Sequence, residues 1–208
     1  MKTTFSMLGR LGAALALVTT MVVSAAHAND NNDFSHLDPK GLVPNRALSQ
    51  AVAYLKKNRN DFSNQRYMTI IDFTKPAMSK RLFLIDLNSG SVEARNTTHG
   101  SGSDPKRTGY ARIFSNKNGS NASSLGFYRT LETYHSTKFK GTALRLQGLS
   151  STNSNAHARA IVMHPAWYVT EGSNVGRSQG CPALDPRFSA AVIGKIKNGS
   201  LLYIWNGQ

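Results

Sequence analysis

A single cysteine, Cys181, is the feature that most constrains how this 208-residue chain can fold. One thiol cannot form an intrachain disulfide, so the fold must be held together by its own hydrophobic core. Cys181 lies in GRSQGCPALDP, residues 176–186, between Gly180 and Pro182. Such a thiol pairs with another molecule, reacts chemically or is buried and inert. The polar residues before Cys181 and the proline after it are typical of a loop, which argues against an inert thiol in a core strand.

The N-terminal residues have the pattern of a secretory signal peptide. Lys2 and Arg10 form a basic head, and the apolar run from Leu11 to Val23 is thirteen residues long. A membrane-spanning helix needs about 20 apolar residues, so this run is too short for an anchor. Small residues follow it, and we expect cleavage after Ala28 and export of the protein.

Cleavage would leave 208 − 28 = 180 residues, enough for one domain with a substantial core. Without Lys2 and Arg10 the formal charge falls from +14 to +12. A balance this basic favours a cell-wall polymer, lipid headgroups or nucleic acid as partner, or serves solubility alone. Nucleic acid is not expected, because the sequence shows no zinc-ligand spacing, RNA-binding aromatic signature or basic helix. No later segment is apolar enough for stable insertion into a membrane, and the oligomeric state is left open.

The rest of the chain predicts one mainly β domain. Residues 29–43 are polar and contain proline and glycine, which is typical of a flexible linker. Residues 44–60 have apolar side chains at helical spacing and predict an N-terminal helix, and a second helix is predicted over 186–199, after the cysteine. Between and after them come β-type runs: YMTIIDF, RLFLIDL, SVEARNTT, GFYRTLETY, TALRLQGL, RAIVMH and SLLYIW. We expect a single domain over residues 44–208, a mainly antiparallel β sandwich or barrel with two flanking helices.

One long polar stretch, residues 99–124, interrupts this pattern. Loops of such length are usually functional or disordered. The stretch begins HGSG directly after a strand, and its glycines allow the backbone to turn tightly or to approach another group.

Cys181 needs help to act as a nucleophile. A thiol with a pKa of about 8.5 is only a few per cent thiolate at neutral pH, so it needs a nearby base or donors that stabilise the thiolate. His164 is our first candidate for the base, because it ends the run RAIVMH, where a strand would position it and a hydrogen bond to a carbonyl would fix its tautomer. His99, also at a strand end, is the second. The other histidines of the mature chain are expected in solvent or in the linker: His36, His135 and His157.

The residues around Cys181 also suit an oxyanion site. Acyl transfer passes through a tetrahedral oxyanion that backbone N–H groups stabilise. The amide of Cys181, with that of Gly180 or Gln179, would supply donors, whereas Pro182 has no N–H. The alternative explanation of Gly180 is an ordinary turn. Arg177 precedes the cysteine by four residues and offers a cation for the thiolate.

The order of these residues resembles the murein L,D-transpeptidase family, which has a YkuD-like β fold. That family has a histidine followed, after a short gap, by Ser/Thr-His-Gly-Cys; here His164 is followed by SQGC at 178–181. Residues 176–184, GRSQGCPAL, look like a subgroup with the pattern GRSxGCPAL. The resemblance extends from about Tyr67 to Trp205 and includes FSNKNGSNASSLGFYRT (114–130), LRLQGL (144–149) and RAIVMH (159–164).

The resemblance implies a bacterial cell-wall enzyme located in the periplasm or cell wall. Cys181 would attack the carbonyl between the third residue of a peptidoglycan stem peptide, a diamino acid, and the following D-Ala, and form a thioester. An amine of a second stem would resolve the thioester into a 3→3 cross-link, and water would give L,D-carboxypeptidase action. His164 carries over as general base, and Ser178 and Gly180 as residues that shape the nucleophile loop. No metal or organic cofactor is implied.

The chain departs from the family pattern at two positions. Gln179 replaces the histidine before the Gly-Cys pair, and Ala183 replaces an arginine or asparagine that the family often has two residues after the cysteine. Substrate contacts of those side chains do not carry over. Arg177 is our candidate for carboxylate recognition, because its planar fork suits a bidentate contact. We include His99 among the substrate-binding candidates.

Two other functions stay open. A different exported Cys-His acyltransferase or peptidase would use the same chemistry, although SQGCPAL does not look like a sortase cysteine site and papain-like wall hydrolases place cysteine before histidine. A non-catalytic, basic wall-binding module would keep its activity without Cys181. Salt alone would release such a module, because exposed charge contacts are screened. We favour the enzyme.

Overall fold

The computed structural model describes Met1 and residues 34–208; the remainder of the predicted signal peptide and residues 29–33 lie outside the described residues. The helices are α1 (Asn45–Lys57) and α2 (Pro186–Ile196), and short 3-10 turns occupy Arg59–Asp61 and Ser101–Ser103. The strands are β1 (Tyr67–Asp72), β2 (Leu82–Asp86), β3 (Val92–Arg95), β4 (Gly126–Ser136), β5 (Gly141–Gly148), β6 (Val162–Pro165), β7 (Val169–Thr170), β8 (Asn174–Val175), β9 (Ala183–Leu184) and β10 (Leu201–Trp205). Within the described part of the chain, no helix is both long and apolar enough to cross a membrane.

Eight strands form one sheet in the order β3-β2-β1-β10-β4-β5-β6-β9, which curves into a nearly closed barrel. Most neighbours are antiparallel, as predicted, but β1 pairs with β10 and β6 pairs with β9 in parallel. β7 and β8 form a separate antiparallel pair. The prediction of a mainly β fold with one helix before the sheet and one after Cys181 is confirmed.

The central strands are buried on both faces, which explains their continuous apolar runs. Ile71 lies in one core cluster with residues of α2, whereas Ile70, on the opposite face of β1, lies in a second cluster with residues of α1. Each helix therefore covers one face of the sheet. From α1, Ala47, Ala51 and Leu55 are buried, and from α2, Val192, Ile193 and Ile196.

Both helices end earlier than the apolar pattern predicts. α1, expected over 44–60, ends at Lys57, where the backbone and side-chain amides of Asn58 both donate to the Tyr54 carbonyl at 3.0 and 2.9 Å. The chain then enters a 3-10 turn. α2, expected to reach Gly199, ends at Ile196. At its start the Asp185 carboxylate accepts the Arg187 amide and caps the helix.

The described part of the predicted linker packs against the domain. Leu37 and Val43 join the core cluster beneath α1. The Asp38 carboxylate accepts the amides of Leu42 at 3.0 Å and Val43 at 2.7 Å, which folds this stretch into a turn. The Asp38 amide donates to the Gly90 carbonyl at 2.9 Å in the β2–β3 hairpin. Packing therefore extends N-terminal to residue 44, because two apolar side chains and one capping carboxylate hold residues 37–43 in place.

Asp38→Ala should lower the free energy of unfolding by about 1–2 kcal/mol, because the buried amide of Val43 and the partly buried amide of Leu42 lose their acceptor. Asp38→Asn retains one acceptor and should give an intermediate loss. Urea unfolding of both variants checks the prediction, with Lys40→Ala, at an exposed position of the same turn, as the control. Equal stability of Asp38→Ala and the unmodified protein would contradict the anchoring role of this turn.

Candidate active site

A cavity of about 1180 Å³ opens beside Cys181 and is lined by residues that are far apart in the sequence. Six of the seven predicted site residues line it: Cys181, His164, Ser178, Gln179, Arg177 and His99. The seventh, Gly180, is buried immediately before Cys181 in the same loop. His135 and His157 are exposed away from the cavity, and His36 contacts the Leu87 carbonyl through Nε2 at 3.0 Å.

The parallel pairing of β6 with β9 brings the segments that carry His164 and Cys181 next to each other. His164 is opposite Ala183, and Cys181 is two residues upstream of that position. Paired strands lie only about 4.8 Å apart. The Sγ atom of Cys181 accepts the Val162 amide at 3.4 Å and lies 3.8 Å from the Ala160 carbonyl oxygen. The sulfur is therefore held against the strand that carries His164.

Cys181 rests as a protonated thiol. Burial raises the pKa of the Cys181 thiol, while the Val162 amide and the charges of Lys138 and Arg159 oppose that rise. The side chain is 8 % exposed, through the cavity. One backbone donor and two cations stabilise a thiolate at this position, but the loss of hydration on burial destabilises it by more. The thiol is therefore protonated at rest, and a thiolate would form only during a reaction that removes its proton.

His164 is positioned to act as a base through Nε2. Its Nδ1 lies 2.8 Å from the Pro165 carbonyl oxygen, which can only accept, so Nδ1 carries the proton and Nε2 has the free lone pair. The ring stacks on Phe139, with centroids 3.7 Å apart and planes 15° from parallel. Burial lowers the pKa of His164 to about 4, so the imidazole is neutral at neutral pH. The predicted carbonyl contact that fixes the tautomer is thus present.

The nucleophile loop is closed by short polar contacts. Ser178 Oγ donates to the Cys181 carbonyl at 2.6 Å and accepts the Gly180 amide at 3.1 Å. Ser123 Oγ donates to the Gly180 carbonyl at 3.1 Å. These contacts fix the backbone on both sides of Gln179, which is exposed at the tip of the loop.

Gly180 is required by geometry. Its φ of +118° lies outside the range that L-residues adopt easily, and a Cβ there would meet the Ala122 carbonyl oxygen at 2.9 Å and Ile161 Cδ1 at 3.0 Å. Across the loop, a Cβ on Gly100 would lie 2.9 Å from the Gly180 backbone. Two glycines therefore permit two chain segments to come into contact next to Cys181.

The predicted oxyanion donors are reduced from three to two. The Gly180 amide donates to Ser178 Oγ, so it does not face the cavity as a free donor. Among the hydrogen bonds of residues 34–208, none uses the amide of Gln179 or of Cys181. These two N–H groups therefore are the ones available to an oxyanion beside the sulfur.

The two ends of the barrel meet at this loop. We define the barrel seam as the contacts between residues 97–101, just after β3, and residues 178–183, which lead into β9. The Thr98 amide donates to the Ala183 carbonyl at 3.2 Å, and the Thr98 hydroxyl donates to the Cys181 carbonyl at 2.9 Å and accepts the Ala183 amide at 2.9 Å. The Ser178 amide donates to the His99 carbonyl at 2.9 Å. The nucleophile loop is thus part of the barrel wall.

Arg177 and His99, the predicted substrate contacts, are both engaged with the protein. Arg177 Nη1 donates to the carbonyls of Ser101 and Asp104. The His99 side chain is fully buried. Burial, followed by the charge of Arg81, lowers the pKa of His99 to about 4. One arm of the Arg177 guanidinium therefore holds a loop, and the ring of His99 is neutral at neutral pH.

Sequence reasoning missed Arg159, which both orders the long polar loop and acts on the sulfur. Its guanidinium donates to the Ser115 carbonyl at 2.8 Å and the Ala122 carbonyl at 2.7 Å, and its charge favours the Cys181 thiolate. Burial lowers the pKa of Arg159. The available clue was its place at the head of the run RAIVMH, which leads into β6 and contains His164. Lys138, exposed in the β4–β5 turn, also acts on the sulfur and gave no such clue.

Within the described residues, no group of three or more His, Cys, Asp or Glu side chains is arranged to hold a metal ion.

Residues 40–205, most of the chain, match the family described as the L,D-transpeptidase catalytic domain. The chain belongs to this family. Assignment to the GRSxGCPAL subgroup within the L,D-transpeptidase catalytic domains stays a prediction. A search of curated proteins finds no match.

Solved structures with a similar fold include L,D-transpeptidases. The enzyme from Mycobacterium smegmatis is 14% identical over 67% of this chain and 58% of its own, with a TM-score of 0.42. The L,D-transpeptidase from Stackebrandtia nassauensis is 12% identical over 76% and 65%, with a TM-score of 0.40. The helical cell shape determining protein Pgp2 from Campylobacter jejuni is 13% identical over 76% and 56%, with a TM-score of 0.42. The chain therefore spans less than two thirds of the length of each.

Gly180→Ala should destabilise the domain by about 2 kcal/mol or more, because the new methyl group meets a backbone carbonyl and the φ angle is strained. Gly194→Ala is the matched control. A Cβ at Gly194 meets nothing within 4 Å, so an alanine in this helical position should leave stability unchanged or raise it by up to about 1 kcal/mol. Urea unfolding midpoints distinguish the two variants, and equal midpoints would show that the close approach at Gly180 is dispensable.

The alkylation rate of Cys181 by iodoacetamide should keep rising with pH beyond the range of an ordinary thiol. Iodoacetamide reacts with thiolate, and a raised pKa leaves little thiolate at neutral pH. Rates measured from pH 5 to 10 by intact mass, with glutathione as the reference, test this. A plateau near or below pH 7 would instead indicate a thiolate–imidazolium pair at rest.

Proposed function

We propose that this chain is an L,D-transpeptidase that acts on peptidoglycan stem peptides through a thioester on Cys181. The observation that carries the proposal is that the parallel pairing of β6 with β9 brings the segments of His164 and Cys181 side by side at one cavity. The contact of His164 Nδ1 with the Pro165 carbonyl leaves Nε2 free to act as the base. Export by the predicted signal peptide would place the enzyme in the periplasm or cell wall, where this substrate lies.

In the proposed first step, Cys181 Sγ attacks the carbonyl carbon that links the stem's diamino acid to D-Ala. The thiol proton moves to His164 Nε2 as the C–S bond forms, because the thiolate alone is disfavoured in this site. The oxyanion takes hydrogen bonds from the amides of Gln179 and Cys181. Collapse breaks the C–N bond, D-Ala leaves with the proton from the imidazolium, and a thioester remains.

In the second step, an acceptor attacks the thioester and His164 takes its proton. The C–S bond breaks and the sulfur regains a proton from the imidazolium. A side-chain amine of a second stem would give a 3→3 cross-link, and water would give L,D-carboxypeptidase action. Both outcomes use the same residues, so the acceptor decides between them.

The charge of the cavity supports an anionic substrate. Its basic lining residues are Arg107, Lys138, Lys140, Arg159 and Arg177. Its acidic lining residue is Asp104, whose carboxylate already accepts the amides of Thr108 and Gly109, both at 2.8 Å. Stem peptides carry several carboxylates, and a cavity lined mainly by cations attracts them.

The test is to incubate the purified protein with tetrapeptide-bearing muropeptides and to follow the products by mass. Loss of D-Ala with formation of a dimer indicates transpeptidation, and loss of D-Ala alone indicates hydrolysis. Cys181→Ala should abolish both and remove the covalent adduct from the intact protein. His164→Gln should lower the rate by about 100-fold or more, the usual contribution of a general base.

His135→Gln is the control for His164→Gln, because His135 is an exposed histidine of the same sheet. It should leave the rate unchanged. Activity that persists in Cys181→Ala, or wall binding that is lost on adding salt without any turnover, would support the wall-binding module instead. Cleavage elsewhere in the peptide would support a different Cys-His peptidase.

A further inference from the structure

A fully buried arginine lies beneath the active-site loops. Arg81 is 0 % exposed and directs Nε and Nη2 to the Thr97 carbonyl, at 3.0 and 2.7 Å, and Nη1 to the Lys75 carbonyl at 3.1 Å. Burial lowers the pKa of Arg81 to about 9, and the charges of Asp72 and Asp104 oppose that shift. Because a buried cation needs acceptors for its donors, these two carbonyls hold the Arg81 side chain in one position.

Arg81 also determines which nitrogen of His99 carries the proton. Arg81 Nη2 lies 2.9 Å from His99 Nδ1, and a guanidinium can only donate, so Nδ1 accepts and Nε2 is protonated. His99 Nε2 lies 3.5 Å from Asp104 Oδ2. The ring therefore stands between a donor that it accepts from and a carboxylate that its N–H faces.

The backbone of His99 belongs to the barrel seam. Its carbonyl accepts the Ser178 amide, and two residues later the Ser101 amide donates to the Ser178 carbonyl at 2.8 Å. Between them, Gly100 touches the Gly180 backbone, and the Gly100 amide donates to Ser123 Oγ at 3.0 Å. Any rotation of the His99 backbone would therefore move the loop that carries Cys181.

Asp104, whose carboxylate faces the same ring, also contacts the other side of the loop. Its carboxylate shapes the turn at 104–109 by accepting the amides of Thr108 and Gly109, and its backbone carbonyl accepts Arg177. These contacts lead from buried Arg81 to the nucleophile loop. They reach Ser178 through the His99 backbone and Arg177 through the Asp104 carbonyl.

We propose that His99 is a positioning residue, which holds the barrel seam in the geometry that presents Cys181 and the amides of Gln179 and Cys181 to the substrate. Its side chain is held by the hydrogen bond from Arg81 and faces the Asp104 carboxylate, and its carbonyl holds the Ser178 amide. This role differs from the substrate contact that the sequence predicted for His99. It rests on the proposed function only for its kinetic consequence.

Hydrogen exchange tests the positioning directly and needs no substrate. In the unmodified protein the Ser178 amide should exchange at least about tenfold more slowly than the Gln179 amide, since only the former is bonded within the chain. His99→Leu removes one of the two acceptors of Arg81 Nη2 and should bring the exchange rates of the Ser178 and Gln179 amides within about threefold of each other. His99→Gln can accept from Arg81 through its side-chain oxygen, which replaces the contact that Nδ1 makes, so it should retain the protection of Ser178.

Kinetics distinguish positioning from substrate contact. His99→Leu should lower kcat by about tenfold or more with KM changed by less than about twofold, because the reacting groups are displaced while the binding surface is kept. His99→Gln should recover most of the rate, and His157→Leu, at an exposed histidine, should have no effect. A raised KM with unchanged kcat and unchanged exchange would show that the ring contacts substrate and would overturn the proposal.

Exchange alone decides the outcome in two further cases. If the protein shows no turnover of muropeptides, the proposed function fails but the Ser178 measurement still reports on His99. If His99→Leu does not fold, His99→Gln decides: retained Ser178 protection supports positioning through the Arg81 contact, and lost protection in a folded His99→Gln overturns it. Rapid exchange of Ser178 in the unmodified protein overturns the proposal outright.

Discussion

The barrel seam is the contact on which the site depends. The segment from Ser178 to Ala183 is held by β6 on one side and by residues 97–101 on the other, so it has backbone partners along both edges. A loop held in this way has little freedom to change the position of its thiol. The same hydrogen bonds that close the barrel therefore also orient Cys181. A change that weakens the barrel seam should lower the stability of the fold and disturb the geometry of the site together.

The electrostatics of the site follow from its burial in that wall. Cys181 and His164 both leave water, and each is driven to its neutral form: burial raises the pKa of the thiol and lowers the pKa of the imidazole. A neutral pair does not need compensating charges at rest. The cations that favour the thiolate are Lys138 and Arg159, and in the proposed mechanism they stabilise the charged sulfur once its proton has moved. A protonated thiol is slow to react with stray electrophiles, so burial also protects the chain's single thiol from side reactions.

The sequence predicts the strands well and their neighbours poorly. Runs such as YMTIIDF identify strands because both of their faces are buried, and the types and order of His164 and Cys181 indicate their chemistry. The contacts that complete the site are between residues far apart along the chain, such as Gly100 with Gly180 and Arg159 with Ser115. Arg81 shows the difficulty most clearly. An arginine before a strand is expected at the surface, and only the fold shows that it is fully buried.

Two arginines take the place that disulfides have in many exported domains. A chain with one cysteine cannot staple its loops covalently, yet residues 99–124 are long and polar. Arg159 fastens that loop through the carbonyls of Ser115 and Ala122, and Arg81 fastens its beginning through Thr97 and His99. Desolvating a guanidinium is costly, but the cost is offset when its donors have acceptors, and each acceptor here belongs to a segment that must be ordered. Arginine–carbonyl contacts, fully buried at Arg81 and half-buried at Arg159, are therefore the means by which this fold holds the polar loops beside the cavity in place.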